Sequence, residues 1–297
     1  MGMTPRVSVV IPVANEQETV APLCRALEEV LPPPYEILFI DDGSTDQTWA
    51  ELAKLHRAGL VRAIRFRRNF GKTAALAAGI RAARGDVILT MDGDLQDDPR
   101  EVPRLLEKIA EGYDLVSGWK KDRKDPLGKV VASRLFNWAV RLVSGVELHD
   151  VNCGFKAYRG EVARGLRLRG EFHRFTPLLA KALGYRVGEL VVRHHPRRHG
   201  RSHYGFSRLF KGFLDLITIT FLIRYAERPS HGFGLAALVS LAIGAAATAL
   251  VPWPLKAPAA MTFALISVVL AAAGLVAEVV IDRQPSDTGR CIREQLD

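Results

Sequence analysis

DVILTMDGDLQDDP, residues 86–99, joins an apolar run to an acidic one. The apolar half predicts a buried strand. If the chain stays extended beyond it, Asp92, Asp94 and Gln96 project to the same side, because side chains alternate along a strand. Carboxylate and amide oxygens are the ligands that Mg²⁺ and Mn²⁺ prefer, often together with substrate phosphates. The stretch therefore predicts a metal site; an acidic turn that caps the next helix is the alternative interpretation.

Apolar runs and helical patterns alternate on both sides of this stretch. The predicted strands are residues 7–11, 36–40, 61–66, 87–91 and 115–118, and the predicted helices between them are residues 18–30, 48–57, 72–83 and 101–110. This alternation predicts an α/β domain with a mostly parallel sheet.

Polar residues follow several of the predicted strands. Asn15, Asp41, Asp42 and Asp92 stand just beyond the carboxyl ends, where open α/β sheets bind ligands. Without a cation these carboxylates would repel a phosphate, but a carboxylate can accept a hydrogen bond from a base N–H or a ribose hydroxyl. We therefore expect Asp41 and Asp42 to hold a nucleoside, while residues 92–96 hold a metal that bridges its diphosphate. Turn chemistry is the alternative for the Asp41-Asp42 pair.

Two common nucleotide motifs are absent from the sequence. Residues 71–73, Gly-Lys-Thr, resemble the end of a P-loop, but Phe66 stands where that motif needs its first glycine. No GxGxxG motif follows the first predicted strand either. The sequence therefore disfavours a P-loop enzyme and a dinucleotide-binding fold of the usual kind.

The chain of 297 residues has a net charge of +9, with basic residues concentrated at 120–134 and 193–211. This balance indicates an anionic partner: nucleic acid, a phosphorylated small molecule or an anionic membrane surface. No aromatic-interleaved basic surface and no known module supports nucleic-acid binding, so we expect no nucleic-acid partner. The three cysteines lie far apart and are predicted to be free thiols in a reducing compartment.

The C-terminal third has a different composition. Residues 233–255 and 257–277 contain no charged side chain, and each stretch is long enough to cross a bilayer as a helix. Lys256 and several prolines mark a tight connection between them, and arginines flank the pair on both outer sides. The positive-inside rule then places both ends in the cytoplasm. Two buried helices of a soluble core are the alternative.

Several motifs in order resemble family 2 glycosyltransferases with the GT-A fold, and among them the polyprenyl- and dolichyl-phosphate glycosyltransferases. The motifs are VIP with NE (residues 10–16), DDGSTD (41–46), NFGK (69–72), DGDLQDDP (92–99), DVNCGFKAYR (150–159) and GRSHY (200–204). The resemblance covers about residues 7–225. It departs from the usual pattern at His203, where the group carries a lysine, so an anion contact there would depend on pH or be lost.

The resemblance implies a GT-A (Rossmann-like) α/β catalytic domain at residues 1–204. An amphipathic juxtamembrane segment at 205–230, a transmembrane hairpin at 231–282 and a cytoplasmic tail at 283–297 would follow. The protein would be a multi-pass protein of the cell (inner) membrane with its catalytic domain in the cytoplasm. Because two spans are a thin anchor, we expect the hairpin to associate into a homo-oligomer.

The resemblance also implies an inverting transfer from a UDP- or GDP-linked sugar to a polyprenyl or dolichyl phosphate, with Mg²⁺ or Mn²⁺. By analogy, the nucleoside pocket would consist of Pro12, Asn15, Glu16, Asp41 and Lys72. Asp92 would lie near the ribose or sugar, and Asp94 and Gln96 would ligate the metal. Asp150 matches the residue often proposed as the catalytic base; an orienting role is the alternative.

The acceptor makes a separate demand on the sequence. A phosphate monoester has a second pKa of about 6, so at neutral pH it is mostly a dianion and already a nucleophile. It needs cations that position it beside an anionic donor, and the cluster that begins at Lys120 supplies candidates. We favour Arg123, Lys129 and Ser133 for the acceptor phosphate, Arg198 and Arg201 for the diphosphate or lipid phosphate, and Arg174 for the sugar or acceptor. A solvated basic loop is the alternative.

Two other functions were weighed against this one. A processive polysaccharide synthase of the same fold would carry a QxxRW segment, and the sequence has none. A non-catalytic nucleotide-binding membrane protein is disfavoured by the intact acidic motif. Neither the sugar nor the base of the donor is fixed by the sequence.

Overall fold

The computed structural model describes residues 6–121, 140, 148–196, 214–215, 217–221, 224, 269, 276, 279–280 and 292–296. The chain divides into two compact units, one of residues 1–212 with 286–297 and the other of residues 213–285. The first unit contains the sheet and the candidate site.

Strands and helices alternate through the first half of this unit. Its described strands are β1 (Val7–Val13), β2 (Tyr35–Asp41), β3 (Arg62–Phe66), β4 (Val87–Thr90), β5 (Leu115–Trp119), β6 (Lys156–Arg159), β7 (Val187–Val191) and β8 (Ile292–Leu296). Its described α-helices are α1 (Val20–Glu28), α2 (Thr48–Arg57), α3 (Lys72–Ala82), α4 (Val102–Ala110), α5 (Gly160–Gly165) and α6 (Thr176–Ala182). Short 3₁₀ turns at Pro99–Glu101 and Phe172–Arg174 complete the described elements.

The strands form one sheet in the order β7-β5-β6-β4-β1-β2-β3-β8. β1 pairs in parallel with β2 and β4, and β2 pairs in parallel with β3. These four strands were predicted from the sequence, and their parallel arrangement is confirmed. Since parallel strands end at the same edge, the loops that follow β1, β2, β3 and β4 meet there.

The sheet is mixed, because β6 and β8 run against their neighbours. β6 lies antiparallel between β4 and β5, and β8 lies antiparallel to β3. Neither strand was predicted. β6 has only four residues and a charged residue at each end, so it shows no run of apolar residues. β8 forms part of the predicted cytoplasmic tail, and only its pairing with β3 identifies it as a strand.

Each face of the sheet carries its own core. Leu23 of α1, Leu52 of α2 and Leu105 of α4 pack on one face, with Phe39 among the strand residues beneath them. α3, α5 and α6 pack on the other face. Successive residues of one strand point to opposite faces, so the central strands are apolar along their whole length.

Two of the predicted free thiols lie among the described residues. Cys24 and Cys153 are both buried and free. Burial raises the pKa of the Cys24 thiol to about 11 and that of the Cys153 thiol to about 12. Both side chains therefore stay protonated at neutral pH and act as small apolar groups in the core. Cys291 lies outside the described residues.

The second unit is described at a few positions, all of them helical. Ile219, Phe221 and Val279 are buried there. Most residues of the predicted amphipathic segment at 205–230 and of the predicted hairpin at 231–282 lie outside the described ones. Within the described part of the chain, no helix combines the length and the apolar character that a membrane crossing requires.

The close packing of α3 on the sheet leads to a stability prediction. A Cβ at Gly79 would lie 2.3 Å from Val10 Cγ1 and 3.0 Å from Ile40 Cγ1, both in the core. Gly79→Val should therefore lower the free energy of unfolding by about 1–3 kcal/mol through overpacking. Denaturant unfolding of the detergent-solubilised protein measures this change.

Gly165→Val is the matched control. A Cβ at Gly165 would meet no atom within 4 Å, so we expect a change within about 0.5 kcal/mol. Equal effects at the two glycines would contradict the packing argument.

Candidate active site

A cavity of about 490 Å³ opens at the edge of the sheet where the parallel strands end. Its walls come from the ends of β1 to β4, from the loop before β6 and from the 3₁₀ turn at Phe172–Arg174. The lining residues are Pro12, Val13, Ala14, Glu16, Asp42, Asn69, Gly71, Lys72, Asp92, Gly93, Asp94, Gln96, Asn152, His173 and Arg174. The cavity thus brings together eight of the predicted site residues: Pro12, Glu16, Asp42, Lys72, Asp92, Asp94, Gln96 and Arg174.

Asp42 joins the end of β2 to the loop that leads into α3. Its carboxylate accepts hydrogen bonds from the N–H groups of Phe70, at 2.7 Å, and Gly71, at 2.9 Å. Burial raises the pKa of Asp42, partly offset by these two hydrogen bonds. Gly43 follows with φ +71°, and a Cβ there would lie 2.3 Å from the backbone of Arg68. The Asp-Gly pair therefore holds one wall of the cavity in place.

Asp41 and Asn15 support this wall from behind. The Asp41 carboxylate is fully buried and accepts from Ser44 N at 2.8 Å, with Arg65 Nε 3.5 Å away. Asn15 has φ 57°, and its Oδ1 accepts from Thr45 N at 2.8 Å. Neither residue lines the cavity, so their contact with a nucleoside stays a prediction.

The acidic motif after β4 forms the floor of the cavity. Asp92 makes an ion pair with Lys72, the first residue of α3. Asp94 is nearly buried, and its Oδ1 accepts from Gln96 N at 3.2 Å. A Cβ at Gly93 would lie 2.6 Å from Val13 Cγ1, so glycine lets the motif lie directly against β1.

The side-chain oxygen atoms of Asp94 and Gln96 at the floor of the cavity fit a hard divalent cation. Gln96 Nε2 donates to the carbonyl oxygen of His195 at 3.2 Å, which leaves the amide oxygen as its ligand atom. The described residues contain no cluster of three His, Cys, Asp or Glu side chains that could hold a metal alone. Two protein oxygens, from Asp94 and Gln96, suit an ion that completes its shell with substrate phosphate and water, as Mg²⁺ usually does.

The acidic motif also contributes Asp97 to a buried ion pair with Lys120. Lys120 Nζ is 2.6 Å from Asp97 Oδ1, and His194 Nδ1 is 3.9 Å from the same oxygen. Burial alone would raise the pKa of Asp97 and lower that of Lys120. Their attraction outweighs burial, so the pKa of Asp97 lies below its usual range and that of Lys120 above it. Lys120, which the sequence suggested for the acceptor phosphate, is thus engaged inside the protein.

Asp150 lies in a turn behind the cavity wall. It is 2% exposed, and its Oδ2 accepts from Lys120 N at 3.4 Å. Its own N–H donates to Glu189 of β7 at 2.8 Å. Asp150 does not line the cavity, whereas Asn152, two residues later, does. Its role in catalysis therefore stays a prediction.

Lys156 of β6 fixes the loop between Asp150 and the sheet. Its buried ammonium group donates to the carbonyl oxygen of Cys153, and burial lowers its pKa to about 8. A Cβ at Gly154 in the same loop would lie 2.9 Å from Asp92 Oδ1. The loop thus passes directly over the Asp92–Lys72 ion pair.

Arg174 and His173 close the cavity on the side of α3. Arg174 pairs with Glu171 at 2.7 Å, and His173 Nδ1 lies 2.6 Å from Thr73 Oγ1. The sequence predicted Arg174 but gave His173 no role. The sequence feature that could have identified His173 is its place in the EFHRF segment, residues 171–175, which resembles a family segment near the active site.

Other predicted residues are not placed. Arg123, Lys129, Ser133, Arg198 and Arg201 lie outside the described residues, so the acceptor site stays a prediction. Asn69, Asn152 and Glu189 were given no role. Membership of the NFGK and DVNCGFKAYR motifs could have identified Asn69 and Asn152, whereas Glu189 gains its place only through the pairing of β7 with β5.

The comparisons with known proteins agree with the motifs. The model of "Glycosyl transferase family 2" matches residues 8–167. A dodecaprenyl-phosphate galacturonate synthase of Rhizobium johnstonii is 41% identical over 252 residues, which are 82% of this chain and 73% of that protein. An undecaprenyl-phosphate 4-deoxy-4-formamido-L-arabinose transferase of Pseudomonas paraeruginosa is 40% identical over 71% of this chain and 64% of its own length. This chain thus matches somewhat less than two thirds of the second relative.

Solved structures support the fold. Glucosyl-3-phosphoglycerate synthase of Mycobacterium tuberculosis with Mn²⁺, UDP-glucose and phosphoglyceric acid superposes with a TM-score of 0.56 at 21% identity, over 74% of this chain and 79% of that chain. Its complex with UDP gives a TM-score of 0.55. The predicted α/β fold of the GT-A type is confirmed for the first unit, and the resemblance seen in the motifs is confirmed by the family model. This chain belongs to glycosyl transferase family 2.

Proposed function

We propose that the protein transfers one sugar from a nucleotide sugar to a polyprenyl phosphate at the cytoplasmic face of a membrane. One observation carries the proposal: a single cavity collects the nucleoside-side residues, the acidic motif and the two basic side chains Lys72 and Arg174. The two relatives support it, because one is named a dodecaprenyl-phosphate galacturonate synthase and the other an undecaprenyl-phosphate 4-deoxy-4-formamido-L-arabinose transferase.

The donor occupies the cavity in an order set by its walls. The nucleoside lies toward Pro12, Glu16 and Asp42, at the ends of β1 and β2. The diphosphate lies over the acidic motif and beside Lys72. The sugar then reaches Asn152 and the 3₁₀ turn, where amide, imidazole and guanidinium groups can bind hydroxyl groups. UDP and GDP both suit this arrangement.

Asp94 and Gln96 would hold Mg²⁺ or Mn²⁺ against the diphosphate. Such an ion supplies positive charge to the oxygen atoms that become more negative as the sugar leaves. Asp92 is held by Lys72 at the same place, so the lysine ammonium can turn from Asp92 to the diphosphate when the donor binds. The protein thus presents both a ligand set and a mobile cation to the leaving group.

The reaction is a single displacement that inverts the anomeric carbon. An oxygen of the lipid phosphate forms the new bond to that carbon while the bond to the nucleoside diphosphate breaks, and the bonding pair leaves with the diphosphate. The phosphate dianion brings its own electron pair, so no proton needs to be removed. Arg123, Lys129, Ser133, Arg198 and Arg201 would hold the acceptor phosphate, and Asp150 would orient it or accept a proton.

The proposed acceptor is a lipid, so the second unit would lie at a membrane. Its described residues Leu214, Ile217, Val269, Val276 and Val280 are between 44% and 61% exposed. Exposed apolar side chains of this number suit a lipid surface, in line with the uncharged stretches in the sequence around them. We infer a multi-pass inner-membrane protein that forms homo-oligomers through its hairpin.

One prediction concerns the transfer reaction itself. With purified protein in detergent, Mg²⁺ or Mn²⁺, polyprenyl phosphate and a panel of radiolabelled nucleotide sugars, one donor should give lipid-linked label. Asp94→Ala should lower turnover at least about 100-fold, because charge on the leaving group loses its stabilisation. Chelation should abolish transfer, and added metal should restore it.

Asp86→Ala is the matched control, because Asp86 is exposed just before β4 and should leave turnover unchanged. Label in a long water-soluble polymer would instead indicate a processive synthase. No turnover of any donor by folded protein that still binds nucleotide would favour a non-catalytic protein.

A separate prediction concerns the role of Asp150. Asp150→Asn should lower kcat by about 10- to 100-fold and leave the Kd of the nucleotide sugar within twofold, because Asp150 lies outside the donor cavity. Ionisation of the acceptor phosphate gives the kcat–pH profile an acidic limb in either case. A base would change the shape of that limb in this variant, whereas an orienting group would keep the shape at a lower rate. Unchanged turnover would remove Asp150 from the catalytic groups.

A further inference from the structure

Glu189 of β7 is a largely buried carboxylate to which the proposed reaction gives no role. Its side chain is 10% exposed. Oε1 accepts from His149 N at 2.9 Å and from Asp150 N at 2.8 Å, while Oε2 lies 3.0 Å from His149 N and 2.9 Å from His149 Nδ1. A carboxylate can only accept, so the imidazole carries its proton on Nδ1. One side chain therefore satisfies the backbone of two successive residues.

The neighbours of this turn hold it from two further directions. The His149 ring stacks on Trp119 with centroids 4.0 Å apart and planes 11° apart. Lys120 N lies 3.4 Å from Asp150 Oδ2. Both Trp119 and Lys120 come from the end of β5, which pairs with β7 so that Ser117 stands opposite Glu189. The position of Asp150 thus depends on the edge of the sheet and on Glu189.

We propose that Glu189 is a positioning residue for the transfer reaction: it fixes the 149–150 turn and thereby the orientation of the Asp150 carboxylate. The inference rests on the proposed function, because Asp150 needs a fixed orientation only if it acts on the acceptor phosphate. Hydrogen bonds from two amides and an imidazole fix the turn more firmly than one contact would. A displacement of about 1 Å at a reacting group can cost about 100-fold in rate.

The chemistry of the carboxylate cannot be copied by its amide. A glutamine at this position has one acceptor oxygen, and its NH₂ group would face an N–H donor of the same turn. Glu189→Gln should therefore keep the shape of the site but hold the turn less firmly. Glu189→Ala removes every acceptor at once.

The experiment measures kcat, KM for polyprenyl phosphate and donor Kd for the wild type, Glu189→Gln, Glu189→Ala, Asp150→Asn and the double variant Asp150→Asn/Glu189→Ala. Glu189→Ala should lower kcat about 10- to 100-fold and leave donor Kd within twofold, with Glu189→Gln between it and the wild type. The double variant should be no slower than Asp150→Asn alone, because residues that act as a unit are not additive. Glu111→Ala, which removes an exposed glutamate paired with Lys108, should leave kcat unchanged.

Several results would overturn the inference. If the two single-variant losses in kcat multiply in the double variant, Glu189 acts independently of Asp150. If both Glu189 variants keep the kcat of the wild type, Glu189 has no role in the reaction. A donor Kd weakened in step with kcat would indicate general structural damage, and wild-type turnover in Asp150→Asn would remove the group to be positioned. A wild type that transfers no sugar would refute the proposed function itself, so the two failures are distinguishable. If Glu189→Ala does not fold, the comparison of Glu189→Gln with the double variant Asp150→Asn/Glu189→Gln decides whether Glu189 acts through Asp150.

Discussion

The buried ion pair between Asp97 and Lys120 holds the candidate site together. Asp97 belongs to the acidic motif after β4, Lys120 follows β5, and His194, which follows β7, lies against the same carboxylate. Three segments distant in sequence thus meet at one pair of charges. Removal of one partner from such a pair leaves a buried charge without compensation, at a cost of about 3–5 kcal/mol. The acidic motif and the turn that carries Asp150 depend on this pair, since Asp97 belongs to the motif and Lys120 also contacts Asp150 through its backbone.

The charges around the cavity explain why a cation belongs to the proposed reaction. Asp42 already accepts two backbone hydrogen bonds, and Asp92 already pairs with Lys72. Asp94 lines the same cavity and adds a third carboxylate beside a ligand that is itself an anion. A diphosphate would be repelled there unless a divalent ion lay between the two. The arrangement favours a donor that arrives with its metal over one that binds without it.

The sequence predicted the part of the fold in which local pattern and tertiary pairing agree. The strands β1 to β5 and the cavity residues on their loops follow from apolar runs and from the rule that ligands bind at the carboxyl edge. The strands β6, β7 and β8 were not predicted, because none of them is a continuous apolar run and each is stabilised by pairing with distant strands. For the same reason Lys120 was expected to bind phosphate: the sequence shows its charge, whereas only the fold brings Asp97 to it. Asp41, the last residue of β2, was grouped with Asp42, and of the two only Asp42 lines the cavity.

The placement of Asp150 bears on what the protein must supply to the nucleophile. A sugar hydroxyl would need a base in contact with it, but a phosphate monoester with a second pKa of about 6 is already ionised at neutral pH. Asp150 is buried, hydrogen-bonded through its backbone to Glu189 and in contact with Lys120 N–H, which fixes its direction. A fixed carboxylate next to a dianion is useful only if it orients a cation or a donor group that holds the phosphate. If Asp150 acts on the acceptor as proposed, this geometry suits orientation better than proton transfer, and the main electrostatic task falls to the groups proposed to stabilise the leaving diphosphate.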